Sequence, residues 1–420
     1  MRIRVPRGTR DIVPDEMRDW YHLEEKLHEV ARNYGYREIR TPIFEYTEVF
    51  SRSVGEDTDI VAREMYSFKD RGGRDIALRP EGTASIVRAY LEHRFDALPQ
   101  PIKFYYYGPM FRHDNPQLGR YRQFFQFGVE CFGSERPAAD VEVICLARDF
   151  LDLIGLEKTV LLLNSVGCSD CRPLYQERLL AHLAPHREEL CSHCRVRFES
   201  NPLRILDCKT KSCRDLFRDA PEITFNLCPG CRTHFETVQD YLIKLGVDFK
   251  VDPGLVRGLD YYTRTAFEFV SDDLGAQNSI GGGGRYDNLV EILGGEHTPA
   301  VGVAMGMDRI LLSLEGRGRE GRGQARVFVI ADTDSRLLPS LKIVAEIRRA
   351  GIAAEVDFGG RSMKATMKYA GKKDFSHVII LGEREEKRGK VTLRNMNTGK
   401  QDEFTLAEAI ALIREDRDSI

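Results

Sequence analysis

The chain has no apolar run approaching the roughly 18 residues that span a bilayer, so no membrane segment is expected. Its opening stretch, "MRIRVPRGTRDIVPDE", carries charge but no apolar core, so it does not read as a secretion signal, and the expected location is cytoplasmic. Neither charge is in excess: 62 Lys and Arg stand against 65 Asp and Glu, a net −3. That balance neither requires nor excludes a nucleic-acid partner, which needs only a local basic patch. The familiar nucleotide loops are absent. "GGGGRYDNLVEIL" (281–293) has no Gly-Lys-Ser/Thr of a P-loop and lacks the third glycine of a dinucleotide fingerprint. No internal repeat is visible. With no export signal, the ten cysteines are not expected to form disulfides.

What is present is a chain of 420 residues, 42% apolar and 30% charged, long enough for two to four domains. Trp20, Leu23, Leu27, Val30, Ala31 and Tyr34 recur at helical spacing, with Gly35 as the stop. "YREIRTPIFEY" reads as a strand ended by Pro42, and "EMYSFKD-RGG-RDIALRP" as a hairpin. "EGTASIVRAYLEHR" is helical, with Ile86, Val87, Tyr90 and Leu91 inward. "IKFYYYGPMFRH" and "RYRQFFQFGVECFG" are strands around the loop "DNPQLG", and an amphipathic helix, "DVEVICLARDFLDLIGL", follows. Residues 165–250 change character, with short helical pieces and most of the cysteines. "EGRGREGRGQ" (315–324) has no apolar anchor and reads as a linker. Beyond it, strands and helices alternate in a compact α/β domain. The expected domains are therefore 1–324, with an insertion at about 165–250, and 325–420.

As an extended strand, "RYRQFFQFGVECFG" places Arg122, Phe124, Gln126, Gly128 and Glu130 on one face. Glycine inside a strand often marks close approach by a ligand or another backbone; a solvent-facing polar side explains the same pattern. Arg112, His113, Arg120 and Arg122 surround the preceding loop, and guanidinium forks suit phosphate and carboxylate. The four glycines at 281–284 would let a ligand lie against bare backbone ahead of a helix, or form a loose turn. Eight cysteines fall in four pairs: Cys168 and Cys171, Cys191 and Cys194, Cys208 and Cys213, Cys228 and Cys231. Their spacing suits one or two structural zinc sites, and reduced thiols used as small apolar fillers would look the same.

The order "RGTRDIVP", "TPIFEYTEVF", "LRPEGTASIVRA", "FRHDNPQLGRYRQFFQFGVE", "LVRGLDYYTRTAFEF", "GGGGRYDNLV", "GVAMGMDRI" resembles the histidyl-tRNA synthetases, which are class II aminoacyl-tRNA synthetases. The resemblance runs from residue 7 almost to the C-terminus. It implies an α+β catalytic domain, an antiparallel sheet flanked by helices, followed by a C-terminal α/β anticodon-binding domain. It further implies activation of L-histidine with ATP and Mg, transfer to tRNA(His), and a homodimer formed through the first motif around Pro42.

Roles follow by position in the family's motifs. Glu81 and Thr83 match the group that holds the substrate ammonium, and Gln126 its amino and carboxylate end. Glu130, Tyr261, Tyr262 and Tyr286 match the imidazole pocket; a ring with two distinct nitrogens suits one acidic and one phenolic partner. Arg112, Arg257 and Arg309 match the catalytic arginines on the ATP phosphates, Arg257 also facing histidine. Arg120 matches an ATP contact and Gln117 the tRNA acceptor end. Asp114, where the family usually has glutamate, matches the residue at the adenine and is one methylene short; Asn115 stands where a basic residue is common. The resemblance also admits a non-catalytic regulatory subunit of histidine biosynthesis, but such chains typically lack the C-terminal domain and parts of "RGLDYYT".

Overall fold

The computed structural model describes residues 3–55, 58–206, 208, 210–271, 278–314 and 326–418. The chain divides into two compact units, Met1–Gly316 and Arg317–Ile420. The expected boundary at 324 and the Gly/Arg-rich stretch 315–324 lie outside the described residues.

Helix α1 (Pro14–Asn33) opens the first unit. Pro14 fixes φ at the first helical position, Asp15 and Glu16 meet the positive end of the helix dipole, and Gly35 at φ +76° follows its end. Trp20, Leu23, Leu27, Val30 and Ala31 form the buried stripe. "YREIRTPIFEY" is not one strand: β1 (Arg37–Glu38) joins the large sheet and β2 (Phe44–Tyr46) a small one. Pro42 lies between them and has no N–H to continue a ladder. After α2 (Thr47–Val54), the hairpin of β3 (Ser67–Lys69) and β4 (Asp75–Leu78) completes the small sheet in the order β2-β4-β3.

Next come α3 (Thr83–Glu92), β5 (Ile102–Phe111), β6 (Gln123–Phe132), α4 (Pro137–Leu153) and β7 (Thr159–Ser165). The insertion supplies α5 (Cys171–Leu183), α6 (Ser192–Ser200), α7 (Lys211–Phe217) and α8 (Pro229–Lys244). The unit closes with β8 (Lys250–Val251), β9 (Thr263–Ser271), β10 (Ser279–Arg285), α9 (Leu289–Ile292), β11 (Ala300–Gly306) and α10 (Met307–Leu314).

Eight strands form the large sheet in the order β1-β5-β6-β11-β10-β9-β7-β8. Its centre is antiparallel, and a parallel pair lies at each edge. The period-2 pattern of β6 divides the faces. Phe127, Val129 and Cys131 join the core with Trp20, Leu27, Ile144 and Phe150, while Phe132 lies in the opposite cluster with Ile86, Tyr90, Tyr261 and Tyr286. Each fully buried aromatic contributes about 1.5–3 kcal/mol of burial. The four glycines are strand, not a turn ahead of a helix. A Cβ on Gly283 would lie 1.9 Å from the Gly302 carbonyl oxygen, and one on Gly284 2.3 Å from that of Thr265.

The second unit contains β12 (Arg326–Ala331), α11 (Leu337–Arg349), β13 (Ala353–Val356), α12 (Met363–Lys372), β14 (His377–Leu381), α13 (Glu383–Arg388), β15 (Val391–Asn395), β16 (Gln401–Phe404) and α14 (Leu406–Asp418). Its sheet runs β13-β12-β14-β15-β16, parallel over the first three strands and antiparallel beyond, with an apolar cluster on each face.

Candidate active site

Glu130 sits in the middle of β6, buried to 1% exposure. Thr83, the first residue of α3, donates from Oγ1 to Glu130 Oε1 at 2.7 Å, and the Tyr286 hydroxyl donates to Oε2. Gly302 makes room on β11, since a Cβ there would lie 1.8 Å from Oε2. Burial pushes the Glu130 carboxyl up to about 8, against the two hydroxyl donors. Glu81, also buried, accepts the N–H groups of Thr83 and Ala84 at 2.8 Å each and so closes the first turn of α3. Burial raises its pKa too.

The tyrosines complete this wall. Tyr261 and Tyr262 are both buried, their ring centroids 4.7 Å apart, and Tyr261 meets Tyr286 edge-on at 5.6 Å. Gln126 shares the Glu130 face, and its Oε1 is buried without a hydrogen-bond partner among the described residues. Gly128 has a different cause from the ligand or backbone approach its sequence suggests. A Cβ there would lie 2.3 Å from the ring of Tyr106, and one on Gly82 2.2 Å from the same ring. A tyrosine ring therefore fills the space that both glycines leave.

The arginines gather on the same face. Arg112 donates from Nε to the Pro80 carbonyl at 2.8 Å and lies 5.4 Å over the ring of Phe124. Arg120 pairs with Asp114 at 2.7 Å across the loop, whose tip is the tight Gln117–Arg120 turn with Gln117 exposed. Arg309, in the first turn of α10, packs beside Gly119 of that loop. Burial lowers the pKa of Arg112 and Arg309, and repulsion from Arg120 lowers both further. Glu64, Glu81, Asp114 and Glu268 lie among these guanidinium groups, whose planar donor forks suit phosphate and carboxylate. Arg257 lies over Gly282, where a Cβ would sit 2.9 Å from its Nη1; it pairs with Glu268 at 2.6 Å, and its Nε is buried without a partner among the described residues.

Gln126, Glu130, the three tyrosines and Arg257 thus share one face of the sheet, with Asp114 turned to Arg120, Gln117 exposed at the loop tip and the cysteines apart in the insertion. Sequence reasoning missed three others. Glu268 is gripped by Arg257 and by the Ser279 hydroxyl at 2.6 Å. Glu64, its pKa raised by burial, interacts with Arg112 and Arg120. Tyr106 is the third. Glu268 was legible as the polar residue between Phe267 and Phe269; Glu64 had no such signal.

The eight paired cysteines form two sets that nest in the chain: Cys168, Cys171, Cys228 and Cys231 outside, Cys191, Cys194, Cys208 and Cys213 inside. The four sulfurs of each set lie within 4.8 Å of one another. Sulfur separations of 3.6 Å (Cys168–Cys171), 3.9 Å (Cys168–Cys228) and 3.8 Å (Cys191–Cys208) match the edge of about 3.8 Å of a tetrahedron with Zn–S bonds of about 2.3 Å. Backbone N–H groups also point at sulfur, Cys228 N–H to Cys171 at 3.1 Å and Cys191 N–H to Cys213 at 3.2 Å. The Cys231 N–H and neighbouring thiols hold Cys228 down at about 7. The sulfur separations fit a tetrahedral metal site, while burial pushes the Cys171, Cys194, Cys213 and Cys231 thiols up.

A mostly antiparallel sheet carries a buried carboxylate clamp and arginines on one face, with a separate α/β unit later in the chain, the arrangement that the resemblance to class II aminoacyl-tRNA synthetases implies. Comparison with known proteins narrows this. A family model described as histidyl-tRNA synthetase matches residues 8–171 and 225–310, and one described as an anticodon binding domain matches 324–416. The chain is 54% identical over 412 residues to the histidine–tRNA ligase of Desulforamulus reducens, covering 97% of this chain and 98% of that protein. It is 52% identical over 416 residues to that of Moorella thermoacetica, with 99% and 98% covered. The crystal structure of apo S. aureus histidyl-tRNA synthetase superposes with a TM-score of 0.83 at 38% identity, covering 98% of this chain and all of that one. The chain belongs to the histidyl-tRNA synthetase family.

Proposed function

We infer that the protein is a histidine–tRNA ligase, and the observation that carries this is the buried Glu130 clamp walled by three tyrosines beside the arginine cluster. Histidine enters with its imidazole toward Glu130, Tyr261, Tyr262 and Tyr286, its ammonium toward Glu81, Thr83 and Gln126. ATP, accompanied by Mg²⁺ as part of the substrate, lies along Arg112, Arg120, Arg257 and Arg309. The histidine carboxylate attacks the α-phosphorus in line and pyrophosphate leaves. The 3′-terminal ribose hydroxyl of tRNA(His) then attacks the histidyl-adenylate carbonyl and AMP leaves. The chain's part is positioning and charge stabilisation, each well-placed donor giving about 3–4 kcal/mol. An amino acid that leaves Glu130 unpaired is rejected by about four orders of magnitude, so no editing site is needed.

Pyrophosphate exchange across a panel of amino acids tests this. Exchange should depend on histidine, and its absence with histidine would sink the reading. A structure titled as an ATP phosphoribosyltransferase regulatory subunit/histidyl-tRNA synthetase, from Bacillus halodurans, shares the fold with a TM-score of 0.66 at 21% identity. The complete "RGLDYYT" segment favours the ligase over that role.

Three finer readings accompany it. The exposed Ile43, Phe44, Tyr46 and Phe68 on and beside the small sheet support a homodimer, which light scattering would report as twice the chain mass. Gln117 at the loop tip would meet the tRNA acceptor end, and Lys364, Lys368 and Lys372, aligned and exposed on α12, the tRNA phosphates. The two cysteine sets would each hold a structural Zn²⁺, which ties the insertion together when bound. Metal analysis should find two zinc ions per chain; none, with no effect of chelator on stability, would remove that assignment.

A further inference from the structure

One side chain runs from the outer cysteine set to the tyrosine wall. Arg172 follows Cys171, and its backbone N–H donates to the Cys168 carbonyl at 3.1 Å, so its main chain is part of the turn that presents both thiols. Its guanidinium leaves α5 toward the sheet. There Nε donates to the Val166 carbonyl at 3.1 Å and Nη2 to the Tyr262 carbonyl.

Both carbonyls lie where the chain turns into and out of the sheet. Val166 follows β7, and Tyr262 immediately precedes β9. The two segments are laced by Val166 N–H to the Arg264 carbonyl at 2.7 Å and Arg264 N–H to that of Gly167 at 2.8 Å. Arg264 itself sits at φ +49°, left-handed backbone that disfavours a residue with a Cβ. The tyrosine pair is therefore delivered by a sharply turned backbone, and the fork of Arg172 spans that turn from outside. Asp260 and the thiols of Cys168, Cys171 and Cys231 are the charged or ionisable groups facing it.

We propose that Arg172 is a positioning residue for amino-acid recognition, fixing the Tyr261–Tyr262 backbone from the outer cysteine set so that metal occupancy there and histidine affinity are linked. The proposal rests on the ligase and zinc readings above, and its test separates them. Lysine keeps a charge and donors but carries them on one nitrogen, without the spaced Nε and Nη2 of the guanidinium, and methionine donates to neither carbonyl. Measured by pyrophosphate exchange, Arg172→Met should raise KM for histidine about tenfold and Arg172→Lys less, with KM for ATP within about twofold and zinc content unchanged. An unchanged KM for histidine, or equal rises for both substrates, would overturn the positioning role; should Arg172→Met fail to fold, Arg172→Lys decides by the same split. Stripping the metal from the wild-type protein with chelator should weaken histidine binding, read by calorimetry, more than ATP binding. Equal affinity with the metal gone would overturn the linkage. Protein purified without metal would remove the zinc reading and the linkage with it, leaving the Arg172 variants to decide positioning. Absence of histidine-dependent exchange would strike the ligase reading alone, with calorimetry then deciding the Arg172 role.

Discussion

In the proposed histidine pocket, Glu130 is placed by the packed sheet, where Gly302 leaves room for its carboxylate, and Thr83 at the start of α3 and Tyr286 after β10 meet it. In the insertion, the one buried residue of α6 is Cys194 and that of α7 is Cys213. The first region is held by apolar contact on the far face of the sheet, with its polar groups resting on that support. The second reaches the main core through Leu190, Ile205 and the buried Cys194 and Cys213, and its short helices α6 and α7 bury nothing else of their own. Small segments that cannot build a core are commonly stapled by metal or disulfide, so the two regions should fail under different insults.

The largest expected effect falls on the insertion. Cys213→Ser should lose one zinc per chain, a site worth about 10 kcal/mol or more in small metal-folded domains, and open the segment around Cys191–Cys213 to protease while the sheet stays resistant. If limited proteolysis found sheet and insertion yielding together, the contrast would break. Next, Arg257→Ala should slow adenylate formation by about 10³, some 4 kcal/mol, while weakening histidine binding far less; stopped-flow rates set against calorimetric affinity check this, and equal losses contradict the proposed place of Arg257 on the ATP phosphates.

The third prediction is a pH dependence confined to the pocket. Glu130 has a folded pKa of about 8, above the ordinary 4.5 of glutamate. Its protonated form therefore favours the folded state, and this contribution is complete below pH about 4.5 and lost as pH rises through about 8. Chemical denaturation of the ligand-free protein should show stability falling across that window, with Glu130→Gln flattening the slope. A slope unaltered in the variant would assign the titration elsewhere.

The same contrast governs what could be read from the chain. The alternation along β6 separated Phe127 and Val129 from Gln126 and Glu130 correctly, because one face of the strand is buried in the main core and a one-residue slip would invert it. Helix α1 was legible through its apolar stripe and Gly35. Partnerships across the fold were not: the Tyr286–Glu130 bond joins residues 156 apart, and that of Arg172 to Tyr262 spans 90. Periodicity reports which way a side chain faces and is silent on which distant residue meets it. Gly128 illustrates this, since its sequence suggests a ligand and its cause is the ring of Tyr106. The cysteine pairs were plain as pairs, but their nesting depends on how α5 and α8 return to each other.

That nesting fixes an order of assembly. The inner set is complete once Cys213 has left the ribosome, whereas the outer set must wait for Cys231. Each doubling of an open loop adds about 0.6 kcal/mol to its closure, so an inner set that has already gathered its segment shortens the chain the outer set must span. The outer set, complete second, then brings the ends of the insertion together while Tyr261, Tyr262 and β9 have still to be synthesised.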